Sequence, residues 1–124
     1  MQTSQLLNSW KRLWPDYRPT SLIELPALAR FTRVARVFVK FEGERPLRSF
    51  KSLGGMTAGL RAVAKHAGVT DLVELCSGDR HRNLPTLICA SEGNHGLAVA
   101  TAAQKAGTRA RIYLPKEVSR PRAS

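Results

Sequence analysis

Acidic residues are scarce in this chain: nine Asp and Glu stand against twenty Lys and Arg, for a formal net charge of +11 at pH 7. Cysteine is scarcer still, with only Cys76 and Cys89, which form no disulfide framework. No apolar run approaches the roughly 20 residues that a membrane-spanning helix needs. The stretch Met1 to Trp14 lacks the basic, apolar, small order of an export signal. These absences argue against a disulfide-stapled secreted scaffold and a helical membrane protein, and a reducing cytoplasm is the expected location. What is present, 43% hydrophobic and 23% charged residues, is the composition of an ordinary globular protein. At 124 residues one hydrophobic core fits and two complete ones do not.

The basic excess attracts polyanions at low salt, so nucleic acid is a partner to weigh. The charges are scattered, from Lys11 through Arg36, Lys65 and Arg82 to Arg111, and no zinc-finger, RNA-recognition or helix-turn-helix signature accompanies them. A solvated basic surface explains them better, and a basic nucleic-acid-binding protein is kept as an alternative reading. Cys76, His81, Cys89 and His95 lack zinc-ligand spacing, so no metal site is expected.

Leu6, Leu7, Trp10, Leu13 and Trp14 fall at helical spacing before Pro15. Leu22, Leu25 and Leu28 predict a brief helical or irregular segment against the core. Val37 to Phe41 alternates as a strand, and Glu42 to Arg48 is a polar loop. From Ser49 to Ala67 the apolar residues Phe50, Leu53, Met56, Leu60, Val63 and Ala64 recur at steps of three and four, so this stretch is a helix stopped by Gly68. Asp71 to Leu75 is ambiguous between helix and strand, and Cys76 to Pro85 reads as a loop. Thr86 to Ala90 predicts a buried strand, Ser91 to Gly96 a turn, Leu97 to Ala106 a helix ended by Gly107, and Ala110 to Leu114 a second strand. Strand, helix, strand is one βαβ unit and predicts a parallel sheet.

Two segments have the makings of chemistry. In Arg48-Ser49-Phe50-Lys51-Ser52-Leu53-Gly54-Gly55 a lone lysine opens a helix beside an apolar ring. Imine chemistry uses such an amine in its unprotonated form, although most helix-start lysines are simply solvated. In Ser91-Glu92-Gly93-Asn94-His95-Gly96 two glycines allow close backbone approach and positive φ, and the free amides of a helix N-terminus accept an anion. A carboxylate or phosphate fits there; the plainer alternative is a βα turn with Asn94 as N-cap.

Taken together and in this order, Ser49-Phe50-Lys51 and Ser91-Glu92-Gly93-Asn94-His95-Gly96 resemble the tryptophan-synthase-β-like, fold-type II pyridoxal-phosphate enzymes. Those enzymes carry a Ser-Phe-Lys or Ala-Phe-Lys motif followed by a Ser/Thr-x-Gly-Asn-His-Gly loop. Pro19-Thr20-Ser21-Leu22, the strand around Val39 and the strand around Ile112 are similar to the family as well, so the likeness runs from about Pro19 to Arg122. It implies an α/β fold, a three-layer αβα architecture with a parallel sheet of which this chain carries part, truncated. Residues 1–85 would begin the large domain and 86–124 the smaller, cofactor-covering one.

The resemblance also implies pyridoxal 5'-phosphate as cofactor. It makes Lys51 the lysine that joins the cofactor and moves the substrate Cα proton. Phe50 would pack beside the cofactor ring and Asn94 would hydrogen-bond its 3′-oxygen. Ser91, Gly93, Asn94 and His95 would hold the substrate carboxylate. Among subfamilies the motifs look most like diaminopropionate ammonia-lyase, with serine and threonine dehydratases next, and Glu92 stands where that lyase has an aspartate, as a second acid/base. The implied function is an amino-acid ammonia-lyase working by α,β-elimination, in a family of homo-oligomers. The Glu42 to Arg48 segment departs from the family's loop and is shorter. No stretch after Gly96 resembles the glycine-rich loop for the cofactor phosphate, so the chain is expected to be incomplete and inactive alone. A non-catalytic remnant or subunit that pairs with an intact homologue is the other reading.

Overall fold

A computed structural model describes residues 11–14, 17–77 and 83–116. The helix expected from Leu6 falls mostly outside them; Lys11 to Leu13 are helical, and Leu13 joins the core. Strand β1 (Leu22–Glu24) pairs antiparallel with β2 (Phe38–Lys40), Ile23 facing Val39. Helix α1 (Pro26–Thr32) connects them and begins on Pro26, where a missing N–H costs nothing. The expectation that Leu22, Leu25 and Leu28 lie against the core is corrected. Leu22 and Leu28 are exposed and only Ala29 of α1 is buried, because this segment is held by backbone pairing to β2 rather than by its leucines. The antiparallel pair itself was not anticipated from the sequence.

Helix α2 (Lys51–Ala67) ends as expected at Gly68, whose φ of 70° suits glycine. Its stripe of Ser52, Gly55, Met56, Gly59, Leu60, Val63 and Ala64 is buried. Met56, Leu60 and Val63 are inaccessible, and burying each such side chain contributes about 1.5–3 kcal/mol. Helix α3 (Leu72–Ser77) settles the ambiguous segment: Asp71 Oδ1 accepts from the Val73 N–H at 2.9 Å, an N-cap that selects the helix.

Strand β3 (Leu87–Ala90), helix α4 (Asn94–Ala106) and strand β4 (Ala110–Tyr113) form the expected βαβ unit. The strands are parallel, with Leu87 opposite Ala110 and Ala90 opposite Tyr113. β3 is not buried on both faces, as predicted, but alternates: Leu87 packs on the core while Ile88 is 60% exposed. Among the described residues one face of this pair is covered by helices and the other is bare.

Helices α2 and α4 make the most extensive contact between elements, and glycine makes it possible. A Cβ on Gly55 would stand 3.0 Å from the Ala98 methyl, and one on Gly59 only 2.8 Å from the Ala102 methyl. Both partners advance by four residues together, so the helices run parallel. One further turn back along the same faces brings Lys51 level with Asn94.

Candidate active site

Lys51 is the first residue of α2 and is half-buried. Its backbone N–H donates to Ser49 Oγ at 3.2 Å, and Ser52 Oγ donates to the Ser49 carbonyl at 2.8 Å. Ser49 and Ser52 are buried, so the helix start is fixed by its own serines. The ammonium lies 4.9 Å from the centre of the Phe50 ring and has no hydrogen-bonding or acidic partner among the described residues. Phe50 is 58% exposed.

The chain reaches Lys51 through a tight corner. Leu47 and Arg48 both adopt left-handed backbone, with φ of 64° and 49°, each costing on the order of 1 kcal/mol for a non-glycine residue. The corner hangs from a network that sequence reasoning missed. The Arg45 guanidinium, almost completely buried, forms an ion pair with Glu42. Thr20 Oγ1 donates to Glu42 Oε1 at 2.8 Å, the Tyr17 ring lies 5.6 Å from the guanidinium, and Lys40 Nζ donates to the Thr20 carbonyl. The hydrogen bond from Arg45 holds the Glu42 carboxyl below its ordinary range, against the opposing effect of burial. The only signal in the sequence was a glutamate three residues before an arginine, which is common on any surface.

The second segment lies at the C-terminal end of β3, where α/β sheets bind ligands. Ser91 Oγ accepts from the Gly96 N–H at 2.9 Å and from the Gly93 N–H at 3.4 Å. Thus Ser91 anchors the turn, whereas Asn94 does not cap it: the N-cap position is Gly93, which has no side chain to cap with. The N–H groups of Asn94 and His95, first in α4, take no partner among the described residues, which leaves two donors at the positive end of a helix. The glycines differ from expectation in one respect. Gly93 has φ of −163°, which is extended rather than left-handed. The close approach holds at Gly96, where a Cβ would meet Ile112 Cγ2 at 3.0 Å and Ser91 Cβ at 3.3 Å.

Asn94, His95 and Glu92 are exposed, and their side chains have no hydrogen-bond partner among the described residues. His95 also leans on α2, since a Cβ on Gly55 would sit 3.2 Å from its Nδ1. Glu92 and Ser91 line an open cavity of about 400 Å³ with Ala90, Tyr113, Leu114 and Pro115, a volume within the range of small-ligand sites. The parallel register of α2 and α4 therefore draws Lys51, Asn94 and His95 to one end of the fold, where the 91–96 turn and the cavity also lie. Glu92 sits on the cavity side of the turn.

Comparison with known proteins gives the family. A family model described as "Pyridoxal-phosphate dependent enzyme" matches residues 13–124. Diaminopropionate ammonia-lyase of Escherichia coli (strain K12) is 37% identical over 105 residues, which covers 81% of this chain and 26% of that protein. Threonine synthase of Synechocystis sp. is 35% identical over 124 residues, covering 86% of this chain and 28% of that one. The crystal structure of holo diaminopropionate ammonia-lyase from Escherichia coli superposes with a TM-score of 0.80 at 31% identity, covering 96% of this chain and 31% of that chain. The chain thus spans about a quarter of the length of the curated relatives it matches. With the family model matching nearly its whole length and the fold shared, the chain belongs to the fold-type II family of pyridoxal-phosphate-dependent enzymes.

Proposed function

We propose that this chain provides the lysine and the substrate-carboxylate turn of a pyridoxal-phosphate-dependent amino-acid ammonia-lyase that works by α,β-elimination, of the diaminopropionate type. The observation that carries the reading is the shared register of α2 and α4, which sets an unpaired, half-buried lysine level with a helix N-terminus bearing two free amides. The donor set suits the cofactor: an amine for its aldehyde, an exposed aromatic ring beside that amine, and an unpartnered carboxamide on Asn94 for a ring oxygen. The division at residue 85 into parts of a large and a small domain belongs to the same reading.

When bound, pyridoxal phosphate supplies an electron sink for the charge left at Cα. Lys51 Nζ would hold the cofactor at its aldehyde carbon and would take the substrate Cα proton; Phe50 would pack against the ring and Asn94 would donate to the 3′-oxygen. The Asn94 and His95 N–H groups grip the substrate carboxylate, and Ser91 serves them indirectly, because its Oγ is already committed to Gly93 and Gly96. Glu92, on the cavity side of the turn, exchanges a proton with the substrate's leaving amine. Glutamate reaches one methylene further than the aspartate of the lyase motif, and the cavity bordered by Tyr113, Leu114 and Pro115 gives that reach room.

The test is chemical labelling. The chain, incubated with pyridoxal phosphate and reduced with borohydride, should carry its adduct chiefly on Lys51, with Lys11, Lys40, Lys65, Lys105 and Lys116 as internal controls. Lys51→Ala should abolish that preference. Equal labelling of all six lysines would contradict the assignment.

A further inference from the structure

The Arg45 network has no part in the function described so far, yet it fastens the segment that delivers Lys51. Arg45 is 8% exposed, and a buried guanidinium needs paired acceptors. Glu42 meets it with both oxygens, Oε2 toward Nε and Oε1 toward Nη2 at 3.0 Å, in the two-pronged geometry that fixes direction as well as distance. The same Oε1 takes the Thr20 hydroxyl at 2.8 Å, which ties the pair to the segment before β1. The backbone follows the side chain: the Arg45 N–H donates to the Glu42 carbonyl at 3.2 Å, and the Arg48 N–H donates to the Arg45 carbonyl at 2.8 Å.

Leu47, inside the turn that the second bond closes, and Arg48, its donor, are both in left-handed backbone. Such a corner in non-glycine residues persists only where its surroundings impose it. Ser49, which caps Lys51 through the 3.2 Å bond, follows the corner directly. A relaxation of Leu47 and Arg48 to right-handed or extended backbone would swing Ser49 and, with it, the direction in which Lys51 leaves the loop.

We propose that Arg45 is a positioning residue for Lys51: its buried, two-pronged bond to Glu42 imposes the left-handed corner at Leu47 and Arg48 that aims the Lys51 amine toward the 91–96 turn. This rests on the reading of Lys51 as the cofactor-binding lysine. Arg45 touches neither cofactor nor substrate in this account, and it acts only through the backbone.

The experiment uses the full chain, pyridoxal phosphate and borohydride, with peptide mapping of all six lysines and circular dichroism to confirm folding at the labelling temperature. In Arg45→Met, the share of label on Lys51 should fall by on the order of tenfold toward that of the other lysines, while the spectrum of the fold persists. Adding Leu47→Gly and Arg48→Gly, which let the corner form without strain, should restore the preference for Lys51. A merely structural role would not give that rescue. Should Arg45→Met unfold, Arg45→Lys carries the test, since it keeps the charge but loses the fork; the same fall and the same glycine rescue are expected. Undiminished preference for Lys51 in a folded Arg45 variant, or failure of the glycine pair to rescue it, overturns the proposal while leaving the assignment of Lys51 intact. A wild-type chain that shows no preference for Lys51 overturns that assignment, and this proposal with it.

Discussion

Gly59 and Ala102 fit against each other only because one of them lacks a side chain: a Cβ on Gly59 would lie 2.8 Å from the Ala102 methyl and 3.1 Å from Leu87 Cδ1. This contact locks the register of α2 and α4, and the register brings Lys51 level with Asn94. In Gly59→Ala the gain in helix propensity of about 1 kcal/mol is outweighed by overpacking of about 1–3 kcal/mol, so the chain should lose stability. Gly54→Ala, on the same helix with nothing within 4 Å, should gain about 0.5–1 kcal/mol. Urea denaturation of the two variants measures both; a Gly59→Ala chain more stable than wild type would refute the close contact.

Ser91 is the anchor of the proposed carboxylate turn. Ser91→Ala leaves the Gly96 N–H, which lies in a buried residue, without its acceptor, at a cost of about 1–3 kcal/mol. Asn94→Ala removes a carboxamide that bonds to nothing among the described residues and should change stability by less than about 0.5 kcal/mol. Thermal denaturation distinguishes the two, and an equal effect would show that Ser91 does not hold the turn.

Much of this site was legible in the sequence because it is local. Gly68 and Gly107 marked helix ends by their freedom at positive φ, and the strand, turn, helix order around Ser91 announced a parallel βαβ unit. Apolar spacing gave α2 almost to the residue. What was not legible is long-range. The pairing of β1 with β2 uses backbone groups that leave no side-chain pattern, and all six of its residues are exposed. Arg45 read as one more surface cation in a chain with twenty basic residues, because nothing in its spacing shows that Glu42 and Thr20 fold over it. Asn94 read as a cap by type, whereas Ser91, three residues upstream, holds the turn through the Gly93 and Gly96 amides.

Acid should loosen the approach to Lys51. The Glu42 carboxyl is held below its ordinary range by the bond from Arg45, so its contribution to stability is fully present above the unfolded-state pKa and is lost as pH falls through the lowered folded value. The protection factor of the Arg48 amide against hydrogen exchange should therefore drop below the ordinary glutamate range. In Glu42→Gln that pH step should vanish. A step that survives Glu42→Gln would assign it to another carboxyl, such as Glu44, which Ser21 holds low through its N–H and hydroxyl.

Cys76 is half-buried against the core, and burial pushes its thiol above the ordinary cysteine value, with Lys105 opposing the shift. Only the thiolate reacts with alkylating agents, so Cys76 should be alkylated more slowly than a model thiol at neutral pH, with its half-maximal rate at higher pH. Rates measured by mass spectrometry across a pH series check this; a rate equal to that of the model thiol would contradict the packing of α3.

If the site is read correctly, the Lys51 amine and the 91–96 turn address the same molecule. The most direct measurement is a ¹⁵N NMR comparison of the chain before and after a pyridoxal phosphate adduct is reduced onto Lys51. The Asn94 side-chain amide and the Asn94 and His95 backbone amides should shift together with those around Lys51. Shifts confined to residues 49–53, with the 91–96 turn unmoved, would contradict it.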